Sequence, residues 1–241
     1  TAVLALGLTL NFDAIDIDSS QYASIAREIV ESGEFLQLKD NGKKYIDKPV
    51  LTFWTIALSY LAFGINNFAF RLPAFLLTLA AAFSLSRIVV LRTGNREPGL
   101  LAALLYLTAP GLFAMVLDPK IDVYLTAYLI FTHHAYYLGV KKNSRWFYLM
   151  YVFVGLGFIT KGPISAVIPA ISIGGDILFR RDWKRLGSMK IPAGIVIAAV
   201  PPLCWSFILF LDYSWYGPHF FLVFQSFGRF FMTMYDQKLS P

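Results

Sequence analysis

Aspartates cluster near the start of the sequence, where an apolar stretch gives way to a polar one. Asp13, Asp16 and Asp18 follow the apolar residues 1–12. A carboxylate can take the proton of an attacking hydroxyl group, so Asp18 is a candidate general base. Asp18 also precedes Gln21 by three residues, a spacing that resembles a helix capping box. Its position alone leaves both roles open.

Three more charged residues stand at the edges of apolar segments, where a charge is costly and often functional. Asp122 opens one of these segments, where a helix dipole would also favour an acid. Lys48 and Lys161 are compact cations of the kind that binds phosphate. The alternatives are snorkelling of Lys48 to lipid headgroups, and for Lys161 a pairing with a site aspartate or a plain helix-end anchor.

The composition is that of a membrane protein. Hydrophobic residues make up 57% of the 241 residues and charged residues only 15%, which argues against a soluble globular domain. The 22 Phe, 13 Tyr and 5 Trp suit lipid-facing helices and membrane interfaces. We assign the net charge of +6 to cytoplasmic loops and not to nucleic-acid binding. The single cysteine, Cys204, excludes an intrachain disulfide and a Cys-rich metal site.

Six apolar segments are candidate membrane spans, each of which needs about 20 residues. They are 67–91, 98–117, 121–140, 146–160, 163–179 and 190–211, and residues 1–12 are the end of another span. We therefore expect an all-α polytopic membrane protein. We also expect the chain to be a fragment of a longer protein, cut at both ends.

Basic residues are concentrated in three connecting loops, which the positive-inside rule makes cytoplasmic. These residues are Arg92, Arg96, Lys141, Lys142, Arg145, Arg180, Arg181, Lys184 and Arg185. Alternation of the spans then places the turns 117–122, 159–163 and 212–217 on the outer side.

The apolar segment 49–64 decides where the residues before it lie. It is short for a span, so we expect it to lie along or dip into the outer surface; a true short span is the alternative. Residues 13–66 then form one extracytoplasmic loop, and 212–241 form an extracytoplasmic amphipathic segment. On this topology four charged residues share the outer face. They are Asp18, Lys48, Asp122 and Lys161.

The periodicity of residues 19–32 predicts an amphipathic helix within the first loop. Gly33 is expected to end this helix. Its apolar face is formed by Tyr22, Ile25, Ala26, Ile29 and Val30.

Six sequence segments follow one another in an order that identifies a family. They are DIDSSQYASIARE (16–28), NGKKYIDKPVLTFW (41–54), FRLPAFL (70–76), DPKIDVYLTAYL (118–129), GLGFITKGP (155–163) and FQSFGRF (224–230). Together they resemble the aminoarabinose transferase and protein O-mannosyltransferase superfamily. These are membrane glycosyltransferases of the GT-C type, which take a sugar from a polyprenyl-phosphate carrier. The match extends over nearly the whole chain, and its first segment is the most specific.

The resemblance implies a GT-C type transmembrane helical domain with juxtamembrane helices in the first outer loop. It implies single-displacement transfer, with inversion, from a polyprenyl-phosphate-linked sugar to a lipid A, glycan or protein acceptor. Membrane lipid is a further expected partner, and nucleic acid is not. The implied location is the bacterial inner membrane, with the site facing the periplasm. The sequence shows no metal-ligand cluster, and the resemblance leaves a divalent cation open as a cofactor.

The resemblance also assigns the two catalytic carboxylates. It makes Asp18 the base and Asp122 the second acid; Asp118 competes with Asp122, but its following proline indicates a turn. Many relatives have Glu and Arg at the positions of Ser19 and Gln21, and these departures leave the acceptor open.

The remaining candidates are assigned to substrate and phosphate binding. They are Lys48, Tyr45, Lys161, Asp47, Tyr22 and Arg71. Tyr45 could instead pack as an interface aromatic residue. For Arg71 the alternative is an ion pair with an acid of the loop and no contact with substrate. Asp47 stands where relatives usually have Glu. Arg229 could close over the site from the last amphipathic segment.

Two other function classes stay open at this point. A transporter or channel would carry polar residues within its spans, whereas the mid-span positions here are almost wholly apolar. The departures at Ser19 and Gln21 keep open a non-catalytic scaffold that binds the carrier lipid. Carrier binding without transfer would identify the scaffold.

Overall fold

The computed structural model describes residues 2–12 and 16–228, which form a bundle of helices. The first are α1 (Ala2–Leu8), a 3-10 helix (Thr9–Asn11), α2 (Ile17–Ser32), α3 (Leu51–Phe63), α4 (Asn67–Thr93), α5 (Arg96–Thr108) and α6 (Pro110–Leu117). Those that follow are α7 (Ile121–Lys141), α8 (Trp146–Lys161), α9 (Ile164–Arg180), α10 (Trp183–Ser188), α11 (Ile191–Tyr213), α12 (Tyr216–His219) and a π-helix (Phe220–Gly228). A short antiparallel hairpin joins β1 (Lys39–Asp40) to β2 (Lys43–Lys44). The all-α class is confirmed.

The first helix of the loop, α2, begins two residues earlier than predicted. Asp16 has extended backbone angles and is the N-cap, and its side chain accepts the Asp18 backbone N–H at 3.2 Å. Asp18 lies in the first helical turn, so the alternative in which Asp18 caps the helix is excluded. Gln21, its expected partner in the capping box, donates instead to the Asp40 carboxylate at 2.7 Å.

The apolar face predicted for α2 is confirmed. Its residues Tyr22, Ile25, Ala26 and Ile29 are buried, and Val30 is partly buried. This face packs against α3, so the two helices form one apolar layer in the loop. Gly33 ends α2 as predicted, with φ at 72°, a left-handed conformation that glycine adopts readily.

The short helix α3 packs against its neighbours α2, α4 and α8. At 13 residues it is about 20 Å long, well short of the roughly 30 Å hydrocarbon core of a bilayer. Its length agrees with the expectation that 49–64 is not a full span. Whether α3 lies along the membrane or dips into it stays a prediction.

Among the described helices, α4 and α11 are long and apolar enough to cross a membrane. A third such span results if α5 and α6, which are bent by 54°, count as one. The bend falls at Ala109, which is extended because a proline follows it, so the single helix predicted for 98–117 is broken there. The helices α7, α8 and α9 cover three more candidate segments, and the full set of six spans stays a prediction.

Close helix packing determines which chain segments meet at each end of the bundle. Gly155 of α8 lies against α11, where an added Cβ atom would come within 2.8 Å of the Ala198 carbonyl oxygen. Short turns join α7, α8 and α9, so the start of α7 meets the end of α8. We call this the acidic end, with Asp16, Asp18 and Asp122. The opposite end, with residues 179–190, is the basic end.

Candidate active site

The start of α2 is fastened to the turn before α7, about a hundred residues further along the chain. The Asp16 backbone N–H donates to the Asp118 carboxylate at 2.7 Å, and the Ser19 hydroxyl donates to the Pro119 carbonyl at 3.2 Å. The Lys120 ammonium group forms an ion pair with the Asp16 carboxylate. These contacts fix the first turn of α2, which carries Asp18, beside the start of α7.

Lys120 is the cation nearest to Asp18 among the described residues. Its Nζ lies 4.0 Å from Asp18 Oδ2, and the Asp18 side chain is 58% exposed and so open to a substrate. Hydrogen bonding to Lys120 lowers the pKa of Asp16, and the same bond raises the pKa of Lys120. Both partners are therefore charged at neutral pH. Lys120 was not predicted as a site residue. Its place in the turn 117–122, which the topology puts on the outer side with Asp18, could have indicated it.

Asp122 and Lys161 form the second ion pair of the acidic end. Asp122 lies in the first turn of α7, and Lys161 is the last residue of α8. Their side chains are 43% and 39% exposed, so solvent and ligands reach both. The alternatives for Lys161 were phosphate binding, pairing with an aspartate and a helix-end anchor. The structure shows its pairing with Asp122.

Tyr22 is a buried residue of α2, four residues after Asp18. Its ring is buried against Phe53, with the ring centroids 5.7 Å apart and the rings edge to face. Burial raises the pKa of the Tyr22 phenol, and the negative charges of four aspartates raise it further. These are Asp18, Asp47, Asp122 and Asp16. A neutral hydroxyl group is therefore held where the charges of all four acids act on it.

The segment before α3 brings a second tyrosine and a third lysine to this region. The Tyr45 hydroxyl group is buried without a hydrogen-bond partner among the described residues. Burial raises the pKa of Tyr45, and the charge of Asp47 adds to the effect. Lys48 Nζ pairs with Asp47 Oδ2 at 2.6 Å, and Gln225 of the π-helix donates to the other oxygen of Asp47. Gln225 was not singled out in the sequence.

Arg71 of α4 is fully buried. Its Nε donates to the Leu117 carbonyl at 2.9 Å, and its guanidinium lies over the Phe70 ring, 5.7 Å from the centroid. Arg71 thus holds α4 against the end of α6, next to Asp118. This burial favours a positioning role for Arg71 over direct substrate contact.

The structure brings most of the predicted site residues to the acidic end. Arg229 and the end of the predicted amphipathic segment 212–241 lie outside the described residues, as does Asp13. His133 lies within α7 and is partly exposed, and its Nε2 is 2.7 Å from the Ser172 hydroxyl of α9. Within 2–12 and 16–228, no group of three or more His, Cys, Asp or Glu side chains is arranged to hold a metal ion.

The sequence was next compared with known families. A family model described as dolichyl-phosphate-mannose-protein mannosyltransferase matches residues 47–205, about two thirds of the chain. The chain belongs to this family. The matched range includes Asp47, Lys48, Asp122 and Lys161 but not Asp18, which lies before it. The superfamily resemblance stated from the sequence is confirmed.

Two curated relatives of the chain are named undecaprenyl phosphate-alpha-4-amino-4-deoxy-L-arabinose arabinosyl transferase. The protein from Edwardsiella ictaluri is 30% identical over 193 residues, which are 75% of this chain and 34% of that protein. The protein from Yersinia enterocolitica is 30% identical over 198 residues, 78% of this chain and 35% of that protein. The chain therefore spans about a third of the length of these relatives.

Solved structures show the same fold. ArnT from Cupriavidus metallidurans bound to undecaprenyl phosphate superposes with a TM-score of 0.85 at 22% identity, over 93% of this chain and 42% of that one. Its apo structure gives a TM-score of 0.83 over 91% of this chain. The GT-C type helical fold expected from the sequence is confirmed, and this chain covers a part of it.

Proposed function

We propose that the chain is the reacting part of a membrane glycosyltransferase, which moves a sugar from a polyprenyl-phosphate carrier to a hydroxyl or phosphate acceptor. The observation that carries the proposal is the pairing of aspartates with lysines at one end of an apolar helix bundle, where Lys120 Nζ lies 4.0 Å from Asp18 and Lys161 pairs with Asp122. The names of the curated relatives support a polyprenyl-phosphate donor. We place the site on the periplasmic side of the inner membrane.

Asp18 is the proposed base. It is the most exposed of the paired acids at the acidic end, and Asp16 and Ser19 fix the helical turn that carries it. In a single displacement the acceptor oxygen attacks the anomeric carbon, the bond to the carrier phosphate breaks, and Asp18 takes the acceptor proton. General-base catalysis of this kind contributes about 10²–10⁴ in rate.

Lys48 and Lys161 are the proposed cations for the leaving phosphate. Each is paired with a single, partly exposed aspartate, so each can exchange that carboxylate for the carrier phosphate. Fixed charges directed at the developing negative charge stabilise the transition state. The buried hydroxyl of Tyr45, which lacks a partner among the described residues, can donate to the same phosphate. Asp122, the second acid of the site, then orients Lys161.

The donor and acceptor remain to be identified within this class. The first donor to test is undecaprenyl phosphate-linked 4-amino-4-deoxy-L-arabinose, because the curated relatives carry its name. The acceptors to test are lipid A, a glycan and a protein hydroxyl group. Ser19 and Gln21 stand where many relatives have Glu and Arg, so the acceptor of this chain need not be theirs.

The experiment compares the full-length protein in membranes with its Asp18→Asn variant, against a panel of labelled polyprenyl-phosphate sugars. Asp212→Asn is the matched control, because Asp212 lies at the end of α11 and accepts a hydrogen bond from Gln37. Transfer by the wild type and the control, with a loss of at least about a hundredfold in Asp18→Asn, is expected. Equal transfer by Asp18→Asn would remove Asp18 from the site. Carrier binding without transfer in the wild type would favour the scaffold.

A further inference from the structure

Residues 179–190, which we call the connector, comprise the last two residues of α9, the helix α10 and the residues up to α11, and they lie at the basic end, away from the proposed site. The middle of the connector is α10, a helix of 6 residues. Arg185 fastens it to the bundle: Nη1 lies 3.0 Å from Asp176 Oδ2 and 2.7 Å from the Tyr136 hydroxyl. Nη2 of the same guanidinium pairs with Asp182 at 2.6 Å. One arginine thus holds the connector to both α7 and α9.

Two unusual backbone conformations and one hydrogen bond to α8 define the path of the connector. Arg181 and Lys190 each have φ at 53°, a left-handed conformation that residues with a side chain seldom adopt. Between them, the buried Met189 accepts a hydrogen bond at its carbonyl from the Tyr151 hydroxyl at 3.2 Å. The connector therefore presents its remaining side chains in a set direction.

The side chains that face outward combine aromatic rings with positive charge. Phe179 is 92% exposed and Trp183 is 57% exposed. Arg181, Lys184 and Lys190 are exposed and have no acidic partner in the described part of the chain. The nearby acids are already engaged, because Asp176 pairs with Arg180 and Arg185, and Asp182 pairs with Arg185. The surface is left with a net positive charge.

The position of the connector indicates a membrane surface. The helix α11 begins at Ile191, directly after the connector, and is one of the two that are long and apolar enough to span a membrane. Tryptophan is enriched at the level of the lipid headgroups, and basic clusters beside a span attract anionic lipids. A zwitterionic headgroup also carries an ammonium group. The two nearby carboxylates, Asp176 and Asp182, already pair with arginines, so this surface favours an anionic headgroup.

We propose that the connector 179–190 is a binding surface for anionic phospholipid. Arg181, Lys184 and Lys190 contact the headgroup phosphate, and Trp183 and Phe179 lie among the first acyl carbons. This surface is separate from the sugar-transfer site, and the proposal does not depend on transfer activity.

The test uses the full-length protein purified in a mild detergent. It is titrated with short-chain phosphatidylglycerol, with phosphatidylcholine of the same chain length, and with inorganic phosphate, and bound lipid is counted by native mass spectrometry. We expect preferential binding of phosphatidylglycerol. In Arg181→Gln/Lys184→Gln/Lys190→Gln that affinity should fall about a hundredfold, because each basic residue near an anionic surface contributes roughly fivefold. Lys184→Gln alone should weaken it about fivefold, which keeps the test valid if the triple variant does not fold.

A charge-matched variant controls for net charge alone. Lys141→Gln/Lys142→Gln/Arg145→Gln removes three positive charges from the neighbouring loop, where all three residues are exposed. Phosphatidylglycerol binding should fall by less than about fivefold in this control. Equal losses in the two triple variants, or equal binding of the two lipids by the wild type, would refute a lipid surface at 179–190. Displacement of the lipid by inorganic phosphate would indicate a small-anion site and also overturn the proposal.

Discussion

The acidic end and the basic end of the bundle both carry aspartates paired with cations, but the pairs differ in exposure and connectivity. At the basic end, Arg185 and Asp176 are 15% and 20% exposed, and each has further polar partners. At the acidic end, Asp122 and Lys161 are about 40% exposed. The first network holds three helices together, whereas the second leaves charge within reach of a ligand. Exposure and connectivity therefore separate a structural network from a candidate site.

The comparison depends on the two ends lying on opposite sides of a membrane, which cysteine labelling tests with an all-or-none result. In a Cys204→Ser background, Ser20→Cys reports on the acidic end and Ser188→Cys on the basic end; both positions are exposed. A membrane-impermeant maleimide should label Ser20→Cys in intact cells and Ser188→Cys only after permeabilisation. Labelling of both in intact cells would contradict the predicted topology.

Mutations at the acidic end should weaken carrier binding and change the stability of the fold little. Lys48→Ala removes a cation proposed to hold the carrier phosphate, and a hydrogen bond to a charged group contributes about 1.5–3 kcal/mol. Affinity for undecaprenyl phosphate should fall about tenfold to a hundredfold, while Lys48→Arg retains most of it. Titration of both variants with the carrier measures this, and unchanged affinity in Lys48→Ala would exclude Lys48 from the phosphate site.

Mutations at the basic end should lower the stability of the fold and leave carrier binding unchanged. Asp176→Asn leaves the partly buried Arg185 with one acid fewer, which should destabilise the fold by roughly 1–3 kcal/mol, less than for a fully buried pair because solvent screens it. Thermal unfolding of the full-length protein measures the effect, with Asp182→Asn as a control that removes a more exposed acid. Carrier affinity should stay at the wild-type value. A loss of carrier affinity with unchanged stability would show that the two ends do not differ as proposed.

The sequence predicted those parts of the molecule that depend on local pattern. The buried face of α2 follows from its periodicity. The ends of neighbouring apolar segments placed Asp122 and Lys161 on one face, but pairing with a site aspartate was only one of three alternatives for Lys161. Pro110 was a usable signal for the break between α5 and α6, but the length of the apolar run 98–117 concealed it. The cap at Asp16 was missed because the apolar pattern is clear only from residue 19.

Local sequence patterns could not predict the contacts between distant segments. Lys120 and Asp16 are 104 residues apart, and nothing in either segment marks the other as its partner. Gln225 reaches Asp47 only because the π-helix returns to the acidic end. The sequence therefore indicates which charges lie at one end, and tertiary packing decides how they pair.

The pair of Asp16 and Lys120 tests whether that packing matters for transfer. Lys120→Met and Asp16→Asn each remove one charge, and asparagine still caps the helix. Each variant should slow transfer severalfold, and the double variant should be no slower than either single one, because both act through one contact. Additive losses would mean that the two residues act separately. Lys120→Arg, which keeps the charge, should restore most of the rate.

The pH dependence of the same pair has a definite sign. Hydrogen bonding to Lys120 lowers the pKa of Asp16 below its ordinary value of 3.8, so the pair contributes stability above that pH and loses it as the pH falls through the lowered pKa. In Lys120→Met the start of α2 should loosen at a higher pH than in the wild type. Hydrogen exchange of the α2 amides between about pH 3 and 6 measures the shift, and identical profiles would contradict it.

Arg27 and Glu31 supply the control on the same helix. They form an exposed ion pair on the outer face of α2, with side chains 60% and 49% exposed. Pairs of this kind contribute little, because water screens them and holding two long side chains costs entropy. Arg27→Gln should therefore leave transfer and the exchange profile unchanged, although it removes one positive charge, as Lys120→Met does. A loss equal to that of Lys120→Met would mean that the charge of α2 as a whole matters, and that the contact with Asp16 has no special role.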